Sequence, residues 1–328
     1  MNDLNKNNAG IDINSFRKRA VEKELVIVIC GPTCTGKTKL ALKLAEVLST
    51  DIISVDSMQI YSGMDIGTDK YKTEIYGIKQ YMVDIVNPDI NFTVFDFQKI
   101  CRKIIRNEFF NKKRIPLLAG GSGLYIRAVV DDLGFTPGAE PENDREKMES
   151  EKTEELYLKL KKIDPAYADK ISNNDRKRIL RGLEVYEKTG KTFSSYQTTW
   201  NLRKSIYNTV FIGITADRNI INSCIEKRVD NMLKLGLIEE ARNLAEKGYD
   251  KYNSLKQAVG YKEVIGFLDG LSSLEECRAA IISGTKKLVK KQLTWFKADP
   301  RINWINADSY GSIAGLAEGV LNIINKQF

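Results

Sequence analysis

The chain has 328 residues, 42% of them hydrophobic and 29% charged, with a formal net charge of +8 and a pI near 9.0. That length and composition allow one large or two smaller globular domains, and the basic balance favours polyanionic partners such as nucleic acid, phosphorylated ligands or an anionic membrane face. It has no histidine, which excludes His–carboxylate triads, His general bases and His-ligated metals and leaves Asp, Glu, Lys, Tyr or Cys to move protons.

In chain order, residues 1–22 are polar and Asn-rich, lack the apolar core of a signal peptide, and read as a disordered N-terminal tail. Leu25–Cys30 (LVIVIC) is a continuous β-branched run that predicts a buried parallel strand. It is far too short to span a bilayer, so no membrane partner is expected. Gly31–Thr38 follows as a loop, and Leu40, Leu44 and Leu48 give the next stretch helical periodicity. Asp51–Val55 and Ile115–Ala119 predict two further strands, with a helix over Phe95–Phe110 between them.

After Gly134 the character changes. The text is charged and helical to about Tyr196, with no convincing strand. Asn208–Thr215 returns to strand, followed by helices over Ile220–Leu235, Leu237–Lys247, Tyr261–Leu268 and Leu274–Lys297, and an edge strand over Ile302–Ile305. Alternating strands and helices predict an α/β fold: a P-loop NTPase-like parallel sheet flanked by helices, with an inserted all-helical subdomain. The expected boundaries are 23–135 and 206–328 for the two parts of the core and 136–205 for the insert. No coiled-coil or symmetric interface pattern is visible, so a monomer is expected.

The strongest motif is Gly31-Pro32-Thr33-Cys34-Thr35-Gly36-Lys37-Thr38, which fits G-x-x-x-x-G-K-[ST] between a strand and a helix. Such a loop aims backbone N–H groups and a helix N-terminus at phosphate. Lys37 supplies charge and the Thr38 hydroxyl can sit on Mg²⁺. The motif specifies phosphate and does not specify ATP. Asp56, in Ser54-Val55-Asp56-Ser57-Met58-Gln59, falls at the end of the second strand, where open α/β sheets present their ligand crevice. It reads equally well as a general base or metal-linked carboxylate and as a residue capping the next turn. Gln59 is suited to a base edge, or is a solvated loop residue.

A third segment, Gly120-Gly121-Ser122-Gly123, closes a strand and opens a helix; its N–H groups and the Ser122 hydroxyl suit a second phosphate or a leaving group, the alternative being a tight packing turn. Two basic stretches follow. In the helix beginning at Asn173, Arg178 and Arg181 share one face while Ile179, Leu183 and Tyr186 lie on another, expected to be buried. Lys286–Lys297 mixes lysines with aromatics. Either is ordinarily a solvated face, but two of them beside a phosphate-binding core favour nucleic acid. The five cysteines, Cys30, Cys34, Cys101, Cys224 and Cys277, form no C-x-x-C pair and suit a reducing, cytoplasmic setting.

From about Val26 to Trp304 the chain resembles the bacterial tRNA dimethylallyltransferases. The resemblance rests on GPTCTGKT, ISVDSMQIYSGMDIGT, IPLLAGGSGLYIRAVV, NDRKRILRGLEVYEKTGK, MLKLGLIEEARNL, AVGYKE and KKQLTWFK in that order and spacing. It implies transfer of a dimethylallyl group from dimethylallyl diphosphate to N6 of the adenosine at tRNA position 37, with Mg²⁺ present and diphosphate released. It implies further that Asp56 is the base and that Gly31–Thr38 hold the diphosphate. Ser122 and Arg228 would stabilise the departing diphosphate. Asp56, Ser57, Met58, Gln59, Ser122, Arg145, Lys177, Arg178, Ile179, Leu180 and Arg181 would contact the tRNA. Met58 stands where members of that family often carry Arg, Ser122 where Thr is frequent, Gln80-Tyr81 where a His pair is frequent, and Lys286, Lys291 and Lys297 replace arginines. The lysines keep charge but lose the bidentate phosphate geometry of arginine. A small-molecule P-loop kinase, an isopentenyltransferase acting on free adenine nucleotides and an RNA-binding protein with a vestigial P-loop each share part of the pattern. The helical insert and second basic region disfavour the first two, and intact Lys37, Thr38 and Asp56 disfavour the third.

Overall fold

The computed structural model describes residues 11–71, 77–135, 148, 150–200 and 202–328. It divides into two compact units, one built from the residues up to Val130 together with those from Tyr207 onward, the other Asp131–Ile206. The expected insert of 136–205 is thus slightly longer at both ends.

The first unit begins with a helix where a tail was expected. Asp12 caps α1 (Ile13–Glu22) by accepting from the amides of Asn14 and Ser15, and Phe16 and Ala20, one turn apart, are buried. Ile13 and Val21 pack beside them, so a helix whose average composition is polar still docks by one apolar face.

β1 (Leu25–Cys30) is buried along its whole length. Its alternate residues divide the interior in two: Val26, Val28 and Cys30 belong to one apolar cluster, and Leu25, Ile27 and Ile29 to the other. The sheet is completed by β2 (Ile52–Ser54), β3 (Gln80–Tyr81), β4 (Leu117–Gly120), β5 (Asn208–Thr215) and β6 (Ile302–Asn306). The order is β3-β2-β4-β1-β5-β6 and every pairing is parallel. One face is covered by α1, α2 (Lys37–Leu48) and the C-terminal helix Ile313–Gln327, whose Leu316, Val320, Leu321 and Ile324 are buried. The other is covered by α3 (Val94–Ile104, continuing as a π-helical segment Ile105–Phe110) and α4 (Gly123–Val130).

The Asp131–Ile206 unit is helical as expected, with its own small core. α5 (Thr153–Ile163) packs on α6 (Arg176–Thr189) through Leu156, Leu160, Ile179, Leu180 and Leu183. Gly182 lets them approach, since a Cβ there would lie 2.7 Å from Leu160 Cδ1. Tyr186, expected to be buried beside Ile179 and Leu183, is exposed at 38%.

In the first unit, β5 leads into α7 (Arg218–Lys234), α8 (Leu237–Glu246), α9 (Tyr261–Leu268) and α10 (Leu274–Lys297), which join the face opposite α2; the C-terminal helix is α11. Among the described residues no helix is long and apolar enough to cross a membrane.

Candidate active site

In-register pairing of Cys30 with Gly120 and of Ser54 with Ala119 makes β1, β4 and β2 end level with one another. The loops after the three strands therefore emerge side by side, and these are the P-loop, the Asp56 turn and the Ser122 turn. Gly31 has φ of 137° and a Cβ on it would lie 2.3 Å from the Ile214 carbonyl oxygen of β5, so the loop leaves the sheet through a gap that admits no side chain. A cavity of about 90 Å³ is lined by Lys37, Thr38, Ser54, Asp56, Gly121 and Arg228, among others. Thr33, Lys37, Thr38 and Arg228 also line a neighbouring cleft of about 1470 Å³, which extends over α7. Both lie within the first unit.

The P-loop donors are held from outside the loop as well as within it. Thr35 donates to the Pro32 carbonyl at 2.9 Å, and Lys37 Nζ donates to the same oxygen. Gln292 of α10 accepts from the Thr33 amide at 2.9 Å and donates to the Gly121 carbonyl at 3.2 Å, clipping the P-loop to the Ser122 turn. Arg228 of α7 donates to Thr33 Oγ1 at 3.1 Å and to Asp69 Oδ2 at 2.8 Å. Burial and the neighbouring Arg228 guanidinium pull the Lys37 ammonium down from 10.5 to about 8. Burial pushes the Cys34 thiol up to about 11 against the opposing pull of Arg228, so Cys34, which is hydrogen-bonded with Cys224, stays a thiol at neutral pH.

Asp56 caps its own turn, as one of its two sequence readings expects, and it also faces the small cavity. Its Oδ1 accepts from the amides of Met58 (2.8 Å) and Gln59 (3.4 Å), an Asx turn, while the carboxylate lines the small cavity. The Ser57 amide donates to Ser122 Oγ at 3.2 Å, so the second and third loops are also tied together. The glycines around Ser122 each have a packing reason: a Cβ on Gly120 would meet the Val55 carbonyl, on Gly121 the Gln292 amide, and on Gly123 the Trp295 ring. The segment is the tight packing turn of the second reading, and it leaves the Ser122 hydroxyl beside Asp56's own turn.

Several expected contacts are placed differently. Gln59 is half-buried and lines the small cavity with its side-chain amide already engaged. Its amide takes Ser54 Oγ at 2.7 Å and donates to the Thr68 carbonyl at 3.0 Å. Met58 packs against the apolar cluster. In the helical unit Lys177 and Arg178 are exposed and Arg181 is half-buried, but Ile179 and Leu180 are buried in that unit's core, so their side chains are not available to a partner. Arg145 lies outside the described residues. Lys286, Lys291 and Lys297 are all exposed on α10, Lys286 pairing with Glu226 at 3.2 Å. Sequence reasoning took α10 for its lysines and missed Gln292, although Gln292 and Trp295 sit one turn apart between those lysines. It likewise missed Asp69, whose partner Arg228 is 159 residues away.

The comparisons with known proteins bear on this geometry. A family model described as IPP transferase matches residues 59–299, most of the chain. The chain belongs to that family. It is 42% identical over 311 residues to the tRNA dimethylallyltransferase of Alkaliphilus oremlandii, covering 93% of this chain and 99% of that one. It is 42% identical over 306 residues to the enzyme of the same name from Caldanaerobacter subterraneus, covering 91% and 97%. Among solved structures, the tRNA isopentenylpyrophosphate transferase of Staphylococcus epidermidis is 36% identical with a TM-score of 0.68 over 93% of this chain and 100% of that one. A eukaryotic dimethylallyltransferase captured acting on tRNA is 27% identical with a TM-score of 0.75 over 87% and 74%. The expected P-loop-like α/β fold is that of the solved relatives.

Lys37 generates a pH prediction. A lysine near 8 in the free protein is driven back to its ammonium form by a bound phosphate anion, so binding takes up a proton once the pH reaches that range, and affinity falls as pH rises through about 8. Calorimetry of inorganic diphosphate binding at pH 8, in buffers of different ionisation enthalpy, is expected to show uptake of about half a proton more than in Lys37→Arg, whose guanidinium stays charged. Equal uptake in the two proteins would mean that Lys37 is not the titrating group.

Proposed function

We propose that this chain transfers the dimethylallyl group of dimethylallyl diphosphate to N6 of the adenosine at position 37 of a tRNA, releasing diphosphate. The observation that carries the reading is the convergence of the P-loop and the Asp56 carboxylate on one cavity, with the Ser122 hydroxyl tied to the Asp56 turn through the Ser57 amide, in a chain that belongs to the IPP transferase family. The tRNA dimethylallyltransferases it is similar to over almost their whole length supply the reaction class.

The chemistry follows from the residues. The bond between the allylic carbon and the diphosphate oxygen breaks, the diphosphate keeps the electron pair, and the carbon bonds to N6. An exocyclic adenine amine is a weak nucleophile, so its proton must leave as the new bond forms. Asp56 is the base: Oδ1 is held by the Met58 and Gln59 amides, and Oδ2, which takes no hydrogen bond from any described residue, receives the proton. Charge growing on the diphosphate is met by P-loop amides, Lys37 and Arg228, with Ser122 beside them, in a site where little rearrangement is needed. The Thr38 hydroxyl is a hard oxygen lining the same cavity and suits Mg²⁺, which completes its coordination with phosphate oxygens and water. When bound it would neutralise diphosphate charge.

The target base must leave its stack to reach such a cavity, and the rest of the tRNA is engaged through its backbone. Lys177, Arg178 and Arg181 of the helical unit are the residues proposed for this. The chain acts as a monomer.

The reading is tested with purified protein, Mg²⁺ and dimethylallyl diphosphate, offered either unmodified tRNA with adenosine at position 37 or free AMP, with ATP and small acceptors run alongside. Mass spectrometry of the digested tRNA is expected to show isopentenyladenosine, with no product on AMP. Product on AMP moves the acceptor to free nucleotides, and ATP-dependent phosphorylation without prenyl transfer overturns the reading. The double substitution Arg178→Ala with Arg181→Ala is expected to weaken tRNA binding and to reduce the log–log salt slope by about one to two. An unchanged slope would make those arginines a solvated face only.

A further inference from the structure

The segment 64–70 lines the large cleft and carries Asp69 to Arg228, yet it is neither helix nor strand. Its shape is imposed by one carboxylate. Glu240 of α8 accepts from three successive amides: Asp65 at 3.1 Å, Ile66 at 2.9 and 3.1 Å, and Gly67 at 3.3 Å. Tyr261, fully buried at the first position of α9, donates its hydroxyl to the same carboxylate at 2.6 Å. Three converging N–H groups make a concavity for an anion, and here a side chain of the protein fills it. The fit leaves no slack, because a Cβ on Gly67 would lie 2.4 Å from the Tyr261 ring. Burial, with the adjacent Glu240, raises the Tyr261 phenol, which therefore remains a donor.

What the segment does next concerns the active site. The Thr68 carbonyl receives Gln59 Nε2, and the Gln59 backbone amide is one of the two that hold Asp56 Oδ1. Asp69 receives Arg228, which in turn reaches the P-loop at Thr33. Lys70, its side chain only 6% exposed, closes the segment onto Asp65, Asp84 and the Tyr61 carbonyl.

We propose that Glu240, with Tyr261, is a positioning residue for the diphosphate site. It locks segment 64–70 through the backbone so that Asp69 aims Arg228 at the P-loop. Glu240 touches none of the reacting atoms. The inference rests on the reading of Arg228 as a diphosphate ligand.

The test compares Glu240→Gln, Tyr261→Phe and Arg228→Ala, alone and combined, with the affinity for inorganic diphosphate in Mg²⁺, the affinity for tRNA and the thermal midpoint as readouts. Gln puts an NH₂ group against backbone N–H groups and removes the charge, so Glu240→Gln is expected to weaken diphosphate binding about tenfold, with tRNA affinity within about twofold of the unaltered protein. Tyr261→Phe keeps the charge and removes one bond. It is expected to weaken diphosphate binding about threefold, and it decides the matter should Glu240→Gln fail to fold. Glu240→Asp, which keeps the charge, is expected to recover part of the loss. In the Arg228→Ala background the Glu240→Gln effect is expected to disappear, because the two act in series. Diphosphate affinity unchanged in Glu240→Gln and Tyr261→Phe, or an effect additive with Arg228→Ala, overturns the proposal. Diphosphate affinity unchanged in Arg228→Ala itself overturns the reading of Arg228 beneath it.

Discussion

Everything functional in this chain depends on the parallel register of β1 between β4 and β5. Because Cys30 pairs with Gly120 and Ser54 with Ala119, β1, β4 and β2 finish at a common level and their following loops share one edge. A parallel sheet buried on both faces requires near-continuous apolar strands, and LVIVIC and TVFIGI supply them. The polar work is then confined to strand ends, where backbone amides are unpaired by the sheet and free to bind an anion.

The edge is finished by helices from the far end of the chain. Gln292, 259 residues from Thr33, ties the P-loop to the Ser122 turn, and Arg228, 195 residues from Thr33, closes the other side. Placing Lys37 close to Arg228 in a poorly solvated site is unfavourable in the free protein, as its depressed ionisation indicates. On the proposed function, an arriving diphosphate would relieve that repulsion and gain from both cations.

The legibility of the sequence follows the strength of local signals. β5, α9 and α10 were bounded to the residue, because their apolar periodicity is strong and α10 opens on a Ser273–Glu276 capping box. β3 was invisible: two residues, Gln80 and Tyr81, form a half-buried edge pairing with no hydrophobic run. α1 was mistaken for tail because its few apolar residues, Ile13, Phe16, Ala20 and Val21, stand among polar ones in an Asn-rich stretch. At the site, the P-loop, Asp56 and Ser122 could be read because each follows a strand. Asp69, Glu240 and Gln292 could not, because their meaning is given by partners over a hundred residues away.

The central claim is that Asp56 removes the proton from the acceptor amine while the neighbouring strand ends hold the diphosphate. Single-turnover transfer from dimethylallyl diphosphate to tRNA, measured for Asp56→Asn, tests it most directly. Asn keeps the oxygen that accepts from Met58 and Gln59 but cannot take a proton, so the transfer rate should fall by about 10²–10⁴ while affinities for tRNA and diphosphate stay within a few-fold. A near-normal rate, or a loss explained entirely by weaker binding, would contradict it and leave Asp56 as the cap of its own turn.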